Sequence, residues 1–392
     1  MKKIKIGIDI RAIGCQRTGD ETYTLNLVRA LLEIDKENFY YLLTNTRDKK
    51  ELSGIKKKIT GSDSLPGNAR IISVSPSYKL LWTFLLLPYK AFKLNLDILH
   101  VQYIAPLFLP GKTKIVTTIH DISFVRYPQH IGKKDLLFLK TLIPLSIRRA
   151  FKVIAVSDFT RREIEDYYKK AAGKVVAVEN GGAAEGFIQK AVNFTSKKEK
   201  TTSPYIFYIG THQPRKNIPV LIRSFAELKK KHRDNDYIKN LKLIIGGKRN
   251  GRNYDNKIEE ALEEVEKGIS KDIVFPGYIS QDELPAYYKG ADCFVFPSLY
   301  EGFGLPLLEA MSAGTPVVCS DIPCFREVAG EAALFFDPNK GGDLPEKMFQ
   351  VIIDQELKNK LIQKGKKRVK KFTWSKCAEE TRDVYLSATG KG

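Results

Sequence analysis

The chain has 392 residues, 43% of them hydrophobic, and a formal net charge of +20 at pH 7. This length predicts two domains with sizeable cores, and the most apolar run is too short and too interrupted to cross a membrane. The positive charge fits an anionic partner, such as nucleic acid, acidic phospholipid or a phosphorylated small molecule, or else a solvated lysine-rich surface.

The first half of the chain alternates short apolar runs with helical patterns. KIKIGIDI has alternating isoleucines, which predicts a strand rather than the apolar core of a signal peptide, so we expect residence in the cytoplasm. The loop RAIGCQRTGDE and the helical pattern TYTLNLVRALLEI come next. Six further strands are predicted at YYLLT, ARIISV, DILHV, KIVTTIH, KVIAVS and KVVAVEN. This alternation is typical of a buried parallel sheet.

The second half repeats this organisation after the polar stretch KAVNFTSKKEKTTSP, which has neither helical nor strand periodicity. YIFYIG predicts a strand, THQPRKN a loop and IPVLIRSFAELKKK a helix that Asn217 is expected to cap. Further strands are predicted at LKLIIGG, IVFPG, CFVFPS, PVVCS and AALFF.

These patterns predict an α/β protein with two Rossmann-like, doubly wound parallel-sheet domains that face each other across a cleft. The first domain is predicted at residues 1–190, the linker at 191–203 and the second domain at 204–370. Residues 371–392 are predicted to form a helix that packs back on the first domain. In sheets of this kind, ligands bind beyond the carboxyl ends of the strands.

The loop GTHQPRKN has the residues of a phosphate site. Gly210 ends a strand, and Arg215 and Lys216 stand just before a helix, whose N-terminus favours anions. Together they could hold a diphosphate and stabilise it as a leaving group. The alternative is an exposed cationic pair, but the helix dipole opposes cations there unless an anion is bound.

The segment LYEGFGLPLLEAMSAG carries two acids in an otherwise apolar stretch. Glu301 lies on the predicted loop and Glu309 about one turn into the predicted helix. Gly302 and Gly304 let backbone amides approach a ligand. Two carboxylates at this edge of the sheet could bind two parts of a polyhydroxylated ligand, although Glu309 could also simply favour the helix dipole.

YEGFGLPLLEAMSAGTPVV resembles the E-x7-E segment of the retaining glycosyltransferases of family 4, which have the GT-B fold. GTHQPRKN resembles the donor-diphosphate motif of that family, and TIHDISFVRYP is similar to a segment of its mannosyltransferase-like branch. The resemblance covers nearly the whole chain.

The resemblance implies a role for each matching residue. Glu309 would bind the donor ribose, Glu301 the transferred sugar and the backbone of Ile279 the base, while His120 would touch the donor sugar from the first domain. The predicted catalytic residues are His120, Arg215, Lys216 and Glu301. The predicted donor-binding residues are Gly19, Gly210, Arg215, Lys216, Ile279, Glu301, Gly302, Phe303, Gly304, Leu305 and Glu309.

Two features of the first domain leave alternatives open. Family members carry a G-x-G turn before the first helix, and here TGDETY keeps Gly19 but has Glu21 at the second glycine. The Glu21 side chain could crowd or repel a diphosphate, or it could meet an acceptor. For the acceptor itself, the candidate residues are Gln102, Tyr103 and Arg126.

The implied activity is transfer of a hexose, first of all mannose from GDP-mannose, to a glycan or lipid-linked saccharide with retention of configuration. The cationic loop can do the electrostatic work of a metal and the five cysteines lack CxxC spacing, so we expect no metal and no cofactor beyond the nucleotide-sugar co-substrate. LLWTFLLLPYKAFK is either a packed helix or a contact with an anionic membrane, which would place the protein at the inner face of the cell membrane.

Other functions remain open at this stage. An epimerase, a phosphorylase or a non-catalytic sugar-nucleotide-binding subunit would share the fold. A nucleic-acid binder would explain the charge, but the basic run KGKKRVKKF lacks interleaved aromatic residues, so nucleic acid is not an expected partner.

Overall fold

The computed structural model describes residues 3–14, 19–74, 81–183, 187, 203–249, 253–339 and 342–390. The chain divides into two compact units. Unit 1 comprises Met1–Val125, Lys133–Gly181 and Phe372–Gly392, and unit 2 comprises Arg126–Gly132 and Gly182–Lys371. The predicted linker at 191–203 lies outside the described residues, apart from Ser203. Residues 126–132, which fall within the predicted range 1–190, are grouped with unit 2.

The described part of unit 1 contains one parallel sheet of seven strands, in the order β3-β2-β1-β4-β5-β6-β7. The strands are β1 Lys5–Asp9, β2 Phe39–Thr44, β3 Ala69–Ser73, β4 Ile98–Gln102, β5 Lys114–Ile119, β6 Lys152–Ala155 and β7 Val175–Ala177. Because the strand order reverses between β1 and β4, the topological switch point lies beyond the carboxyl ends of these two strands.

The helices of unit 1 connect these strands. They are α1 Gly19–Ile34, α2 Lys49–Thr60, a π-helical turn Trp82–Leu86, α3 Leu87–Lys93, α4 Ser123–Arg126, α5 Lys133–Arg149 and α6 Asp158–Tyr167. The α4 helix ends at Arg126, the first residue grouped with unit 2. The α1 helix begins three residues earlier than the pattern TYTLNLVRALLEI predicts, so Gly19 is its first residue.

The core of the first sheet follows from its sequence. Ile4, Ile6, Ile8 and Ile10 are all buried, and Gly7 between them is buried as well. A Cβ atom on Gly7 would lie 2.4 Å from Leu96 Cδ1, so a larger residue would clash there. Helices cover both faces of a parallel sheet, which is why the first strand is buried on both sides.

The described part of unit 2 contains a second parallel sheet, with six strands in the order β10-β9-β8-β11-β12-β13. The strands are β8 Tyr205–Ile209, β9 Lys242–Gly246, β10 Ile273–Gly277, β11 Cys293–Phe296, β12 Val317–Ser320 and β13 Ala333–Phe336. In the numbering of its own unit this is the Rossmann order 3-2-1-4-5-6, with the switch point between β8 and β11. The prediction of two doubly wound α/β domains is confirmed.

The helices of unit 2 are α7 Ile218–Lys231, α8 Asp236–Lys239, α9 Lys257–Glu264, α10 Lys267–Ser270, α11 Leu284–Gly290, α12 Leu305–Ala313, α13 Pro323–Ala329, α14 Leu344–Ile353 and α15 Gln355–Val369. Asn217 occupies the N-cap position of α7, as predicted, but its side chain makes no capping hydrogen bond. Asn217 takes a left-handed conformation with φ 56° and donates instead to the Pro338 carbonyl, at 3.1 Å. The preceding 3₁₀ turn, Pro214–Lys216, sets this geometry.

The last helix, α16 (Trp374–Ala388), belongs to unit 1. The Trp374 ring meets the Tyr23 ring of α1, with centroids 6.3 Å apart. The Tyr385 hydroxyl lies 2.6 Å from His100 Nδ1 on β4. The end of the chain therefore packs on the elements that carry the switch point of the first sheet.

Within the described ranges, no helix combines the length and the apolar character needed to cross a membrane.

Candidate functional site

Two loops meet at the switch point of the second sheet. The loop after β8 carries Arg215 and Lys216, and the loop after β11 carries Glu301. These loops follow neighbouring parallel strands, so they leave the same edge of the sheet. The backbone ties them together, because Leu299 N donates to the Arg215 carbonyl at 2.8 Å.

Glu301 forms the centre of a buried charged cluster. Its Oε2 accepts from Arg215 Nη1 at 3.0 Å, and its Oε1 accepts from Ser298 Oγ at 2.8 Å and from Lys216 Nζ. Glu301 and Lys216 are each only 8% exposed. Arg215 Nη1 also donates to the Tyr300 carbonyl at 3.2 Å. The predicted catalytic residues of this domain therefore lie together and hold one another in fixed positions.

The cations determine the charge of Glu301. Burial on its own would raise the pKa of Glu301, but the Lys216 and Arg215 charges outweigh it and lower the pKa to about 2. Glu301 is thus ionised at neutral pH. The two cations and one carboxylate leave a net single positive charge, which suits an anionic group at this edge of the sheet.

The turn after Glu301 requires glycine. Gly304 has φ 110° and precedes α12 at the N-cap position. A Cβ atom there would lie 3.1 Å from Phe325 Cε1. Cys324 Sγ donates to the Phe303 carbonyl at 2.9 Å, which holds this turn from the other side. The backbone of Gly302, Phe303, Gly304 and Leu305 thus has a defined path into the N-terminus of α12.

Glu309 lies within α12 and is 5% exposed. Its Oε2 accepts a hydrogen bond from the Tyr288 hydroxyl at 2.9 Å. Tyr288 comes from α11 and is fully buried. A buried tyrosine therefore orients this carboxylate. The sequence predicted only that Glu309 lies about one turn into a helix.

Three strand ends of unit 2 are joined by glycine backbone. Gly210 N donates to the Gly246 carbonyl at 3.2 Å, and Gly247 N donates to the Gly277 carbonyl at 2.9 Å. Gly247 has φ 129°, and a Cβ atom there would lie 1.9 Å from the Gly210 carbonyl oxygen. Ile279 is 5% exposed and its side chain reaches Gly246, so it offers mainly backbone at this edge.

Gly247 and His212 also lie at these strand ends but were not predicted as site residues. The signals were the double glycine that ends LKLIIGG and the histidine within GTHQPRKN. His212 is 3% exposed and lies with its ring centroid 6.0 Å from that of Phe275. Burial lowers the pKa of His212 and so favours its neutral form.

Residues 126–132 pack against the loop that carries Glu301. The Tyr127 hydroxyl donates to the Leu299 carbonyl at 3.4 Å, and its ring centroid lies 5.9 Å from that of Tyr300. Tyr127 also stacks on His130 at 5.3 Å. Arg126, predicted as an acceptor contact, is exposed at the start of this segment.

The ends of β4 and β5 in unit 1 bring His120, Gln102 and Tyr103 together. His120 Nε2 lies 2.9 Å from Gln102 Oε1. The Tyr23 ring meets the imidazole edge-on with centroids 4.8 Å apart, and the Tyr103 ring lies at 5.5 Å. Burial lowers the pKa of His120, although the charges of Asp20 and Asp121 partly oppose this.

The backbone at Tyr103 is strained. Its φ is 56°, which is unusual for a bulky residue. Ile104 N donates to the Gln102 carbonyl at 2.6 Å, which closes a tight γ-turn around Tyr103. Strain of this kind concentrates at functional sites.

Glu21, which stands at the position expected for glycine, is 2% exposed. Its Oε1 accepts from Gly14 N and from Lys58 Nζ, both at 2.9 Å. The carboxylate is therefore directed at the Gly14 backbone and paired with a cation. Gly19 itself carries no close neighbour that a Cβ atom would meet.

No group of three or more histidine, cysteine, aspartate or glutamate side chains in the described parts of the chain could hold a metal ion.

The chain is similar to known glycosyltransferases in sequence and in structure. Residues 189–368 match the family Glycosyl transferases group 1, and residues 17–182 match Glycosyltransferase Family 4. O-antigen chain mannosyltransferase B of Escherichia coli is 32% identical over 284 residues, which are 71% of this chain and 72% of that protein. O-antigen chain mannosyltransferase RfbU of Salmonella typhimurium is 32% identical over 57% of this chain and 56% of its own length.

Sucrose-phosphate synthase from Thermosynechococcus elongatus is similar in structure, with a TM-score of 0.74 at 19% identity and full coverage of both chains. At this identity the likeness concerns the fold, which is GT-B. The matched families, the Escherichia coli relative and this fold lead to one assignment. The chain belongs to the glycosyltransferases of family 4, which transfer a sugar with retention of its anomeric configuration.

Proposed function

We propose that the chain transfers a hexose from a nucleotide-diphosphate sugar to a glycan or lipid-linked saccharide, with GDP-mannose as the first donor to test. The observation that carries this proposal is the buried cluster of Arg215, Lys216 and Glu301 at the switch point of the second sheet. The two relatives described above are named as O-antigen chain mannosyltransferases, which favours mannose as the sugar and a saccharide as the acceptor.

In the proposed mechanism, Arg215 and Lys216 neutralise the donor diphosphate. Their charge stabilises the departing phosphate as the bond to the anomeric carbon breaks and an oxocarbenium-like centre develops. The departing phosphate oxygen takes the proton of the acceptor hydroxyl, which attacks from the same face. The N-terminus of α12 adds backbone N–H groups toward the donor.

Glu301 is a poor candidate for a covalent nucleophile. Lys216 and Ser298 occupy its Oε1, Arg215 occupies its Oε2, and a carboxylate with a pKa of about 2 is a weak base. We assign it two roles: it holds the cations in place and accepts a hydrogen bond from a hydroxyl of the transferred hexose. Glu309, oriented by Tyr288, would bind the ribose in the same way.

We further propose that transfer needs neither a metal nor another cofactor. Two fixed cations can perform the charge neutralisation that a divalent ion performs in other transferases. The test is turnover in the presence of EDTA. Unchanged kcat/KM supports the proposal, and a loss that Mg²⁺ or Mn²⁺ restores contradicts it.

Transfer is favoured over the alternatives on the same fold. The relatives described above are transferases, whereas an epimerase or a binding subunit would need a different site or an impaired one. Glu21 was the feature that favoured a binding subunit. Its pairing with Lys58 removes most of the repulsion that a free carboxylate would exert on a diphosphate.

The activity test is release of nucleoside diphosphate from a panel of nucleotide sugars, with and without saccharide acceptors. Wild-type protein is expected to turn over GDP-mannose. Arg215→Ala is expected to lower kcat about a hundredfold or more, as loss of an oxyanion-hole donor does. Unchanged kcat/KM for Arg215→Ala would remove Arg215 from the mechanism.

We also propose a peripheral contact between unit 1 and an anionic membrane. The π-helical turn and α3 bury Trp82, Leu87 and Ala91 but expose Leu85, Tyr89 and Phe92 by 61%, 53% and 56%. Lys90 and Lys93 flank Tyr89, with their Nζ atoms 5.9 and 6.0 Å from its ring centroid. Exposed apolar side chains bordered by lysines suit the interface of a bilayer with anionic headgroups.

Flotation with vesicles that contain anionic phospholipid tests this contact. Binding that weakens with salt and in Leu85→Ser is expected, whereas Leu137→Ser, a change at a leucine of α5 that is 70% exposed, should not weaken it. Equal loss in both variants, or no binding by the wild type, contradicts the proposal.

A further inference from the structure

Thr24 on α1 begins a chain of hydrogen bonds that ends at His120. Thr24 Oγ1 donates to the Asp20 carbonyl, one helical turn earlier, at 2.7 Å. A carbonyl oxygen only accepts, so the single hydroxyl proton of Thr24 is committed to this bond. Toward any other neighbour, Thr24 Oγ1 can only accept.

That neighbour is Gln102 at the end of β4. Gln102 Nε2 donates to Thr24 Oγ1, so its amide group cannot be turned around without losing this bond. Gln102 Oε1 then faces His120 Nε2 at 2.9 Å. Because an amide oxygen only accepts, His120 Nε2 must carry a proton.

The charges around His120 support the same tautomer. Asp20 Oδ1 lies 3.8 Å from Nε2, where it favours a proton on that nitrogen. Asp121 follows His120 in the chain, and burial favours the neutral ring over the charged one. His100, on the neighbouring strand, is itself kept neutral by burial, with a pKa of about 3. A neutral imidazole with a proton on Nε2 carries a lone pair on Nδ1.

We propose that Thr24 and Gln102 are positioning residues that hold His120 in its Nε2–H tautomer, so that Nδ1 is presented as a hydrogen-bond acceptor to a hydroxyl of a bound saccharide. The inference rests on the proposed function, because the saccharide would be a substrate of that reaction. It gives Gln102 a different role from the acceptor contact that the sequence predicted. The strained turn at Tyr103 fits this role, since it directly follows Gln102 and fixes where β4 ends.

The tautomer can be measured without any substrate. Long-range ¹H–¹⁵N spectra of histidine-labelled protein distinguish a protonated from an unprotonated ring nitrogen, and His120→Asn assigns the His120 signal among the five histidines. Wild type and Thr24→Ser, which keeps the hydroxyl, should both show Nε2–H. Thr24→Val keeps the shape but removes the acceptor, so Gln102 can turn and both tautomers should appear.

Thr117 supplies the matched control. It is fully buried on β5, three residues before His120, and its hydroxyl has no hydrogen-bond partner within the part of the chain that the structure describes. Thr117→Val therefore makes the same threonine-to-valine change in unit 1 without altering the hydrogen bonds that join Thr24, Gln102 and His120. Its His120 signal should match that of the wild type.

The kinetic expectation follows from the tautomer. Thr24→Val should lower kcat/KM for the nucleotide sugar about tenfold, the effect of one lost hydrogen bond, while Thr24→Ser should restore most of it. Thr117→Val should have no such effect. Nδ1–H in the wild type, an unchanged tautomer in Thr24→Val, or a tautomer change without any change in kcat/KM would each overturn the proposal. Failure of the proposed function looks different: wild-type protein would release no nucleoside diphosphate from any nucleotide sugar, whatever the spectra show.

Discussion

Replacement of Glu301 by glutamine tests the charged cluster, because it removes one negative charge while nearly keeping the shape of the side chain. Burial would raise the pKa of Glu301, but the Lys216 and Arg215 charges lower it from 4.5 to about 2. At about 1.4 kcal/mol per pKa unit, the ionised carboxylate contributes about 3 kcal/mol to the free energy of unfolding. Loss of one partner from other buried ion pairs costs a similar amount, about 3–5 kcal/mol.

The sign of the pH dependence follows from this shift. The folded-state pKa lies below the unfolded-state value, so the contribution is fully present above about pH 4.5 and is lost as the pH falls toward 2. The stability difference between wild type and Glu301→Gln should therefore be constant from pH 7 to pH 5.5. A difference that shrinks across this range would mean that Glu301 titrates near neutrality and is not held by the cations.

Unfolding of unit 2 should be followed by calorimetry or circular dichroism rather than by tryptophan fluorescence, because both tryptophans, Trp82 and Trp374, lie in unit 1. For a unit of this size, about 3 kcal/mol lowers the Tm by roughly 6–12 °C. The matched control is Asp272→Asn. It breaks the ion pair between Asp272 Oδ2 and Nζ of the buried Lys229, which lie 2.5 Å apart. Asp272 stands at the amino end of β10, so this pair lies at the opposite edge of the sheet from the cluster. Both variants should be less stable than the wild type.

Ligand binding separates the two variants. The Glu301 carboxylate competes with a diphosphate for Arg215 and Lys216, so its removal should strengthen binding of GDP even as transfer falls. A unit charge about 6 Å from a phosphate contributes about 3 kcal/mol at an effective dielectric constant of about 20, and screening reduces the expected gain to about tenfold in Kd. Asp272→Asn should bind GDP as the wild type does. Weaker GDP binding by Glu301→Gln, or a Tm equal to that of the wild type, would contradict the role given to the Glu301 carboxylate.

Two further predictions concern the loops around the cluster. Gly247→Ala is expected to lower the Tm and abolish transfer, because its Cβ atom would lie 1.9 Å from the Gly210 carbonyl oxygen and φ at this position is 129°. A soluble, active Gly247→Ala variant would show that these strand ends can move apart. Tyr127→Ala removes the ring packed on Tyr300 and the hydrogen bond to Leu299, so kcat should fall about tenfold with little change in the Tm. Tyr127→Phe keeps the ring and should recover most of the lost kcat. Equal kcat in the wild type and both variants would mean that residues 126–132 do not position the Glu301 loop.

The strands were predictable from the sequence because parallel strands are buried on both faces and therefore read as short apolar runs bounded by glycine and polar residues. The grouping of residues 126–132 with unit 2 could not be predicted, because it depends on contacts of Tyr127 with Leu299 and Tyr300, which are far away in the chain. Asn217 stands at the predicted N-cap position, but the sequence did not show that its side chain makes no capping bond, because its left-handed backbone follows from the preceding 3₁₀ turn.

The site was partly predictable for a similar reason. Arg215, Lys216 and Glu301 stand next to strand ends, and strand ends of a parallel sheet meet at one edge. The pairing of Glu301 with both cations could not be predicted, because it depends on the three-dimensional path of two loops. The pairing of Glu21 with Lys58 spans two helices, so the sequence left its role open.

A crystal structure with an intact nucleotide-diphosphate hexose would show whether the cluster of Arg215, Lys216 and Glu301 in unit 2 binds the diphosphate of a sugar donor. We expect diphosphate oxygens within hydrogen-bond distance of Arg215 and Lys216, with a hexose hydroxyl at Glu301. A donor that occupies another edge of the sheet, with no contact to Arg215, Lys216 or Glu301, would contradict it.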